Sequence, residues 1–245
     1  MQQVFIDEGN IKQDEVLITG QDAHHLAKVI RIRVGEVIRV SVATGKNYYA
    51  TVSSVTQDMV IAKMTEEAGD TELSQKIYLF QALPKGSRME TIIEKCVELG
   101  VYEIIPVEMK YCVVKLDDKK KASKVKRYQA IAETAARQSK RSIIPQVHEV
   151  MSYDEALEYA KDCDLFLLPY ENKEGMKPTK DALERVAAAS SIAIMIGPEG
   201  GFAEEEIKKA SGSAELISLG GRILRTDTAA ITALGAVMLS AEMNA

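Results

Sequence analysis

The chain has 245 residues, of which 46% are apolar and 27% are charged, so it can bury one large core or two smaller ones. It contains no run of about 18 to 20 apolar residues that would span a membrane, and residues 1–10 lack the basic and then apolar layout of a signal peptide. These features argue against a membrane protein and predict a cytoplasmic one.

The net charge of −5 conceals two basic tracts. Eleven basic and three acidic residues lie between Lys110 and Arg141, and five basic residues and one acidic residue lie between His24 and Lys46. An acidic body with two basic tracts is typical of a protein that binds phosphate groups on one face. For residues 119–126 alone, a solvated charged helix is an equally good interpretation.

The cysteines and histidines do not suggest a metal site. Cys96, Cys112 and Cys163 are widely spaced, without the paired spacing that binds zinc. We therefore expect reduced structural thiols, with Cys96 on the apolar face of a helix. His148 lies in an alternating segment and is predicted to have a structural role.

Up to about residue 70, apolar residues occur in short alternating runs separated by turn signals. This pattern predicts a small antiparallel β-barrel, interrupted by one helix over residues 22–31 with Asp22 as its N-cap. The polar stretch 66–75 has no apolar periodicity and marks a boundary. We therefore predict two domains, residues 1–70 and residues 71–245.

The second domain alternates apolar strands with helices. The strands are predicted at 77–82, 103–107, 165–168, 192–196 and 216–219. The helices are predicted at 86–99, 120–140, 178–189, 204–210 and 229–243. This α/β pattern indicates a mostly parallel sheet with helices on both faces. Ligands of such sheets bind at the carboxyl ends of the strands, so the loops after Leu168, Ile196 and Leu219 are the candidate site.

The loop after the fourth of these strands is Gly197–Phe202, which contains three glycines and a proline. Glycines let a backbone approach a ligand closely and leave amide groups free to bind it. A tight strand-to-helix turn is the alternative, but it does not readily explain Glu199. The loop has neither the phosphate-loop nor the dinucleotide-binding pattern.

The last of these loops, residues 219–229, begins with two glycines and continues as Arg-Ile-Leu-Arg. Arg222 and Arg225 flank the apolar pair Ile223 and Leu224, which suggests recognition of an anion or a base beside a flat ligand. The following Thr226-Asp227-Thr228 suits N-capping of the last helix, and capping is the favoured interpretation of Thr226 and Asp227.

These two loops resemble the RsmE family of 16S ribosomal RNA uridine-N3 methyltransferases, which belongs to the SPOUT superfamily. The segments 85–90, 98–101 and 24–31 extend the resemblance over the whole chain. It implies a PUA-like barrel that binds RNA, an α/β domain with a C-terminal trefoil knot, and a homodimer. It also implies S-adenosylmethionine as cofactor and 16S ribosomal RNA of the small ribosomal subunit as substrate.

The resemblance also implies roles for individual residues. Arg225, and with less support Arg222, would face the target base as catalytic residues. The cofactor would be bound by Leu168, Pro169, Tyr170, Gly197, Pro198, Glu199, Gly200, Leu219, Gly220, Ile223 and Leu224. Gln138 and Arg141 match a family motif near the RNA, and charge adds Arg31, Arg33, Lys110 and Arg137 to the predicted RNA contacts.

The sequence departs from the family at two places. Residues 109–112 are Met-Lys-Tyr-Cys where the family often has Ser-Glu-Arg-Ser, and Asp227 stands where glutamate is common. Two other functions compete with the favoured one. The protein could be another SPOUT enzyme that methylates tRNA ribose, or a ribosome-assembly factor that binds RNA without catalysis. An α/β domain for some other nucleotide is the weakest alternative, because the phosphate-binding patterns are missing.

Overall fold

The computed structural model describes residues 1–42, 45–172 and 175–244. Its internal contacts divide the chain into two compact units. The first contains residues 1–72 and 136–144, and the second contains residues 73–135 and 145–245. The predicted domains, 1–70 and 71–245, did not anticipate that residues 136–144 would belong to the first unit.

The first unit is built on a six-stranded sheet, ordered β1-β4-β5-β6-β3-β2. Its strands are β1 Gln3–Ile6, β2 Ile11–Lys12, β3 Glu15–Thr19, β4 Val37–Val42, β5 Asn47–Val55 and β6 Met59–Glu67. Four of the five pairings are antiparallel, as predicted, but β1 pairs with β4 in parallel. Alternate side chains such as Val16 and Ile18 of β3 are fully buried, because successive side chains of a strand point to opposite faces.

A short helix follows β3 in this unit. It consists of α1 Gly20–His24, which continues as a π-helix over His25–Ile30. The predicted helix is therefore confirmed, but Asp22 is not its cap: the N-cap is Thr19, without a side-chain hydrogen bond. Arg31 ends the segment in the left-handed conformation, with φ of 57°.

The second unit contains a seven-stranded sheet in which every pairing is parallel. Its strands are β7 Lys76–Ala82, β8 Glu103–Glu108, β9 Gln146–Val147, β10 Met151–Ser152, β11 Leu165–Pro169, β12 Ser191–Ile196 and β13 Glu215–Ile217. The order is β10-β8-β7-β12-β11-β13, and β9 also pairs with β8. All five predicted strands are confirmed, while the two-residue strands β9 and β10 carried no detectable apolar run.

Six helices are assigned in the described part of the chain after β7. They are α2 Arg88–Glu98, α3 Asp118–Ser139, α4 Tyr153–Ala160, α5 Lys177–Leu183, α6 Glu204–Ala210 and α7 Thr226–Met243. The five predicted helices are present, although the one expected over 178–189 ends at Leu183 and a 3-10 turn follows at Val186–Ala188. The missed helix α4 has only eight residues, and its start is stabilised by a capping box between Ser152 and Glu155.

The core of the second unit lies on both faces of its central strands. The consecutive residues Leu79 and Phe80 of β7 point to opposite faces and are both fully buried, because parallel strands covered by helices face no solvent. The predicted apolar face of α2, including Cys96, is also buried, and burial raises the pKa of the Cys96 thiol. No helix in the described ranges is both long and apolar enough to cross a membrane.

Candidate functional site

A cavity of about 610 Å³ lies where β11, β12 and β13 end. It is lined by the three loops that follow these strands. The strands run parallel as neighbours in the order β12-β11-β13, so their carboxyl ends meet at one edge of the sheet. This is the edge at which the sequence placed the candidate site.

Most of the residues predicted to bind a cofactor or to act in catalysis line this cavity. They are Pro169, Tyr170, Gly197, Pro198, Glu199, Leu219, Gly220, Arg222, Ile223, Leu224 and Arg225. Leu168 does not line it: this side chain is fully buried among the core residues beneath. Gly200 also faces elsewhere, since a Cβ atom added to it would lie 2.9 Å from the Cβ of Tyr111.

The glycines of the loop after β12 are required by close packing. A Cβ atom at Gly197 would lie 2.9 Å from Cε2 of Phe202, and one at Gly201 would lie 2.7 Å from Oε1 of Glu171. Gly201 also has φ of 72°, a conformation that residues with a side chain rarely adopt. The loop is therefore a compact turn, closed by the Gly201 amide, which donates to the Pro198 carbonyl at 3.0 Å.

Glu199 attaches this loop to the segment between β7 and α2. Its Oε1 atom accepts hydrogen bonds from the Lys85 amide at 2.9 Å and from Nη1 of Arg88 at 2.7 Å. About a third or less of each charged side chain is exposed. The glutamate that a simple turn could not explain therefore holds two loops together at the cavity wall.

Thr226 connects two of the cavity loops with the central strand β7. Its hydroxyl donates to the Gly197 carbonyl at 2.9 Å and accepts from Nε2 of Gln81 at 3.0 Å, and both side chains are buried. N-capping by Thr226 is therefore wrong: the N-cap of α7 is Arg225, and it makes no side-chain capping bond. Asp227 is not the cap either, and its buried Oδ1 atom has no hydrogen-bond partner among the described residues.

The loop after β13 is fixed at its base and open at its tip. Thr179 of α5 donates from its hydroxyl to the Ser218 carbonyl at 2.7 Å and accepts from the Ser218 amide at 3.0 Å. Beyond this anchor, Gly220 adopts φ of 107°, and Ile223 is 91% exposed. An apolar side chain this exposed at a cavity rim suits contact with a bound molecule.

The two arginines of this loop give the rim its positive charge. Arg222 and Arg225 are exposed, and neither forms an ion pair with the residues that the structure describes. Unpaired guanidinium groups can bind a phosphate or a carbonyl oxygen with two parallel hydrogen bonds. The arrangement can therefore hold one ligand against its glycine and apolar walls and an anionic group at its edge.

Some lining residues were not predicted. Glu171 follows the first loop, Met176 precedes α5, and Phe202 closes the glycine loop. Phe202 could have been predicted as a lining residue, since it is the last residue of the loop Gly197–Phe202. Met176 and Glu171 belong to no recognisable motif, and only the fold brings them to the cavity.

The predicted RNA contacts have different surroundings. Arg31, Arg33 and Gln138 are exposed. Lys110 is exposed but paired with Glu205 at 2.7 Å. Arg137 donates to both carboxylate oxygens of Asp22, at 2.6 and 3.3 Å.

Arg141 is placed in the interior of the first unit. It is 3% exposed, and its guanidinium pairs with the Glu72 carboxylate. A direct contact between this side chain and RNA is therefore contradicted, because the group is buried and its charge is neutralised. The arginine of this motif therefore has a structural role, as the partner of Glu72.

His148 is part of a hydrogen-bonded cluster in the second unit. Oε2 of Glu103 lies 2.7 Å from Nε2 of His148 and accepts from the Tyr159 hydroxyl at 2.7 Å. Burial would raise the pKa of Glu103, but these hydrogen bonds outweigh it and lower that pKa below its usual range. These contacts agree with the structural role predicted for His148. Among the described residues, no three His, Cys, Asp or Glu side chains group as metal ligands.

Two family models match the chain. The RNA methyltransferase domain matches residues 71–238, and the RNA methyltransferase PUA domain matches residues 18–64. The two matches agree with the α/β unit and the β-rich unit of the structure. The first unit is therefore PUA-like, and the second has the fold of an RNA methyltransferase.

Individual proteins give the same result. The ribosomal RNA small subunit methyltransferase E of Bacillus subtilis is 36% identical over 251 residues, covering 99% of this chain and 98% of that protein. A solved methyltransferase from Legionella pneumophila with bound SAM is 31% identical, with a TM-score of 0.83 over 98% of both chains. The ribosomal RNA small subunit methyltransferase E of Neisseria gonorrhoeae, bound to S-adenosyl methionine, is 29% identical, with a TM-score of 0.83 over 96% of both chains. This chain therefore belongs to the RsmE family of small-subunit ribosomal RNA methyltransferases.

Proposed function

We propose that this protein transfers a methyl group from S-adenosylmethionine to N3 of a uridine in 16S ribosomal RNA of the small ribosomal subunit. The observation that carries the proposal is the cavity of about 610 Å³ between three strand-end loops, with unpaired arginines at its rim. The names of the relatives support the cofactor and the RNA class. The choice of N3 of uridine is supported by the resemblance of the loops 197–202 and 221–229 to the RsmE family.

The residues around the cavity fit S-adenosylmethionine. The volume lies within the roughly 300 to 1,000 Å³ of small-molecule sites. Backbone groups of the glycine loops would bind the polar parts of the cofactor, while Ile223, Leu224 and Met176 would cover its flat apolar part. The carboxylate of Glu171, which lines the same cavity, suits a positively charged ligand. When bound, the cofactor supplies a methyl group attached to a positively charged sulfur.

Arg225 has the position and charge to stabilise the other reactant. N3 of uridine carries a proton, and its loss leaves negative charge on the ring and its carbonyl oxygens. A guanidinium held at the rim would stabilise this charge as it develops, which is electrostatic catalysis by a fixed donor. The backbone of Arg225 is fixed as the N-cap of α7, and its neighbour Thr226 is anchored to Gly197. In this scheme the proton passes to solvent.

The Thr226 bridge gives a prediction about cofactor affinity. Thr226→Val removes the hydroxyl that joins Gly197 to Gln81, and leaves both polar groups buried without it. A buried group that loses its partner costs about 1–3 kcal/mol of stability, so we expect a lower melting temperature. Cofactor binding should weaken as well, because the Gly197 carbonyl at the cavity wall is no longer held by the Thr226 hydroxyl. Calorimetric titration with S-adenosylmethionine measures the binding. Thr228→Val, at an exposed position two residues on, is the control and should bind as the parent does.

The direct test is methyl transfer from radiolabelled S-adenosylmethionine to small ribosomal subunits that lack the modification, followed by mass spectrometry of the nucleosides. Label in 3-methyluridine is the expected result. Label in a ribose methyl group, with tRNA as the better substrate, would support the competing SPOUT enzyme instead. Absence of label despite cofactor binding would favour the assembly-factor function.

The RNA contact proposed for the first unit involves Arg31 and Arg33. Both are exposed, as is Lys28, and the exposed apolar residues Val29 and Val34 lie close to them in the sequence. Cations of this kind supply affinity through counterion release. The surface therefore suits the phosphate backbone of a structured RNA, and Gln138 remains a proposed contact of the same unit.

This surface predicts how RNA binding depends on salt. In the double variant Arg31→Ala/Arg33→Ala, the slope of log K against log salt should become shallower by about 1.4 to 1.8, since each phosphate contact contributes about 0.7 to 0.9. Filter binding of labelled 16S RNA across a salt series measures the slope. Lys63→Ala removes an exposed lysine paired with Asp14 in the same unit and serves as the control. An unchanged slope in the double variant would contradict the proposed contact.

We further propose that the protein acts as a homodimer in the cytoplasm, where its substrate would be met. The helix α7 supports the dimer: it contains two acidic and no basic residues, and Leu239 and Met243 remain 54% and 75% exposed. Two exposed apolar side chains on a helix without basic residues suit contact with a second copy of the chain. The trefoil knot implied by the family stays a prediction.

A further inference from the structure

The turn at residues 109–112 follows β8 and presents two side chains to solvent. Met109 and Cys112 are 2% and 4% exposed, so they anchor the turn in the core. The Cys112 amide donates to the Met109 carbonyl at 3.1 Å, and the Met109 amide donates to the Cys112 sulfur at 3.4 Å. Lys110 and Tyr111 are consequently held outward on a closed turn.

This turn is attached to the loop that forms the cavity wall. The Lys110 amide donates to Oε1 of Glu206 at 2.9 Å, and Oε2 of the same carboxylate accepts from the Ala203 amide at 2.8 Å. Glu206 is 5% exposed, so the link is buried. In addition, Gly200 lies against Tyr111: a Cβ atom on the glycine would approach the tyrosine Cβ to 2.9 Å. The position of the tyrosine is therefore coupled to the loop whose Glu199 and Gly201 line the cavity.

The ring of Tyr111 is free to bind another molecule. The residue is 46% exposed, and Nζ of Lys110 lies 5.7 Å from the ring centroid. Val113, two residues on in the sequence, is also an exposed apolar residue, at 66%. An exposed aromatic ring accompanied by a cation is the arrangement that proteins use to stack unpaired nucleic-acid bases.

We propose that Tyr111 stacks on an unpaired base of the RNA substrate beside the cofactor cavity and so positions the strand for methyl transfer. The inference rests on the proposed function, since it takes RNA as the substrate. The contact would add affinity with little choice of sequence, because every base has a flat face.

Tyr111→Ala and Tyr111→Phe test the proposal. Alanine keeps the Cβ atom that contacts Gly200, so the packing of the loop is preserved and only the ring is lost. We expect Tyr111→Ala to raise the KM for the RNA substrate and the Kd for RNA by about 5- to 100-fold, the range for one lost base–aromatic stack. Tyr111→Phe should restore both, because phenylalanine stacks equally well. The Kd for S-adenosylmethionine and the melting temperature should match those of the parent in both variants.

Binding of labelled RNA by fluorescence anisotropy separates this inference from the proposed function. If the parent binds RNA but transfers no methyl group, the proposed function fails, and the loss of RNA affinity in Tyr111→Ala still supports the stack. If Tyr111→Ala binds RNA with the parent's Kd, the stack is overturned. An equal loss of cofactor affinity and thermal stability in Tyr111→Ala would also overturn it, because the ring would then have a structural role.

Discussion

Arg225→Ala is expected to lower kcat for methyl transfer by about 100- to 1,000-fold, the effect of removing one fixed donor from an oxyanion-type site. The guanidinium would act on charge that develops only as N3 loses its proton, so its loss should affect kcat more than the KM for RNA. Its removal leaves no buried partner, since Arg225 is exposed and forms no ion pair with the described residues. Unfolding free energy should therefore change by no more than about 0.5 kcal/mol. Single-turnover methylation at saturating cofactor and RNA measures the chemical step.

Two companion variants separate charge from geometry. Arg225→Lys keeps the positive charge but loses the planar pair of donors, so we expect partial activity. Arg222→Ala removes the other rim arginine, which the resemblance supports less, and should have a smaller effect. An Arg225→Ala protein that binds cofactor and RNA and still turns over at the parent rate would refute the proposed electrostatic role.

The α/β unit could be predicted because its signals are local. Strands such as β12 are continuous apolar runs, and helix α2 displays its buried face at helical spacing. Because the carboxyl ends of parallel strands lie at one edge of the sheet, the alternation of strands and helices was enough to predict which loops line the cavity. The two-residue strands β9 and β10 and the short helix α4 lay below the length at which such patterns are detectable.

The roles that could not be predicted depend on contacts between distant parts of the chain. Thr226 looked like a cap because of its neighbours, but its hydroxyl bonds to Gly197 and Gln81. Gly200 looked like a ligand-binding glycine, but it makes room for Tyr111. Each of these partners lies at least 29 residues away in the sequence, so no local pattern distinguishes the interpretations.

The basic segment that ends at Arg141 shows the same limit. Its charge suggested RNA contact, and Gln138 is indeed exposed, but the chain turns inward after α3. Nε of Arg141 lies 2.9 Å from Oε2 of Glu72, and the Arg141 carbonyl accepts from Nε2 of Gln3. From composition alone an arginine is expected to be a surface cation. In the structure Arg141 is buried and pairs with Glu72, and this pair helps to hold residues 136–144 in the first unit.

Arg141→Met should therefore destabilise the first unit by about 3–5 kcal/mol, the cost of breaking one side of a buried ion pair. Methionine fills a similar volume, but the Glu72 carboxylate, 16% exposed, would remain without its cation. Hydrogen exchange at the amides of β1 and β4 measures the local opening free energy, and these protected amides should exchange much faster. Loss of protection should be smaller in strands of the second unit such as β12, because the pair lies within the first.

A matched pair and a double variant show whether burial is the cause. Arg185 pairs with Glu215 in the second unit, with 53% and 41% of the side chains exposed, so Arg185→Met should cost no more than about 1 kcal/mol. Arg141→Met/Glu72→Met removes both buried charges and should recover part of the lost stability. The recovery will be incomplete, because Oε1 of Glu72 also accepts from the Ser142 amide at 2.7 Å. If Arg141→Met cost as little as Arg185→Met, the buried pair would not be what holds residues 136–144 in place, and an RNA-binding role for Arg141 would again need consideration.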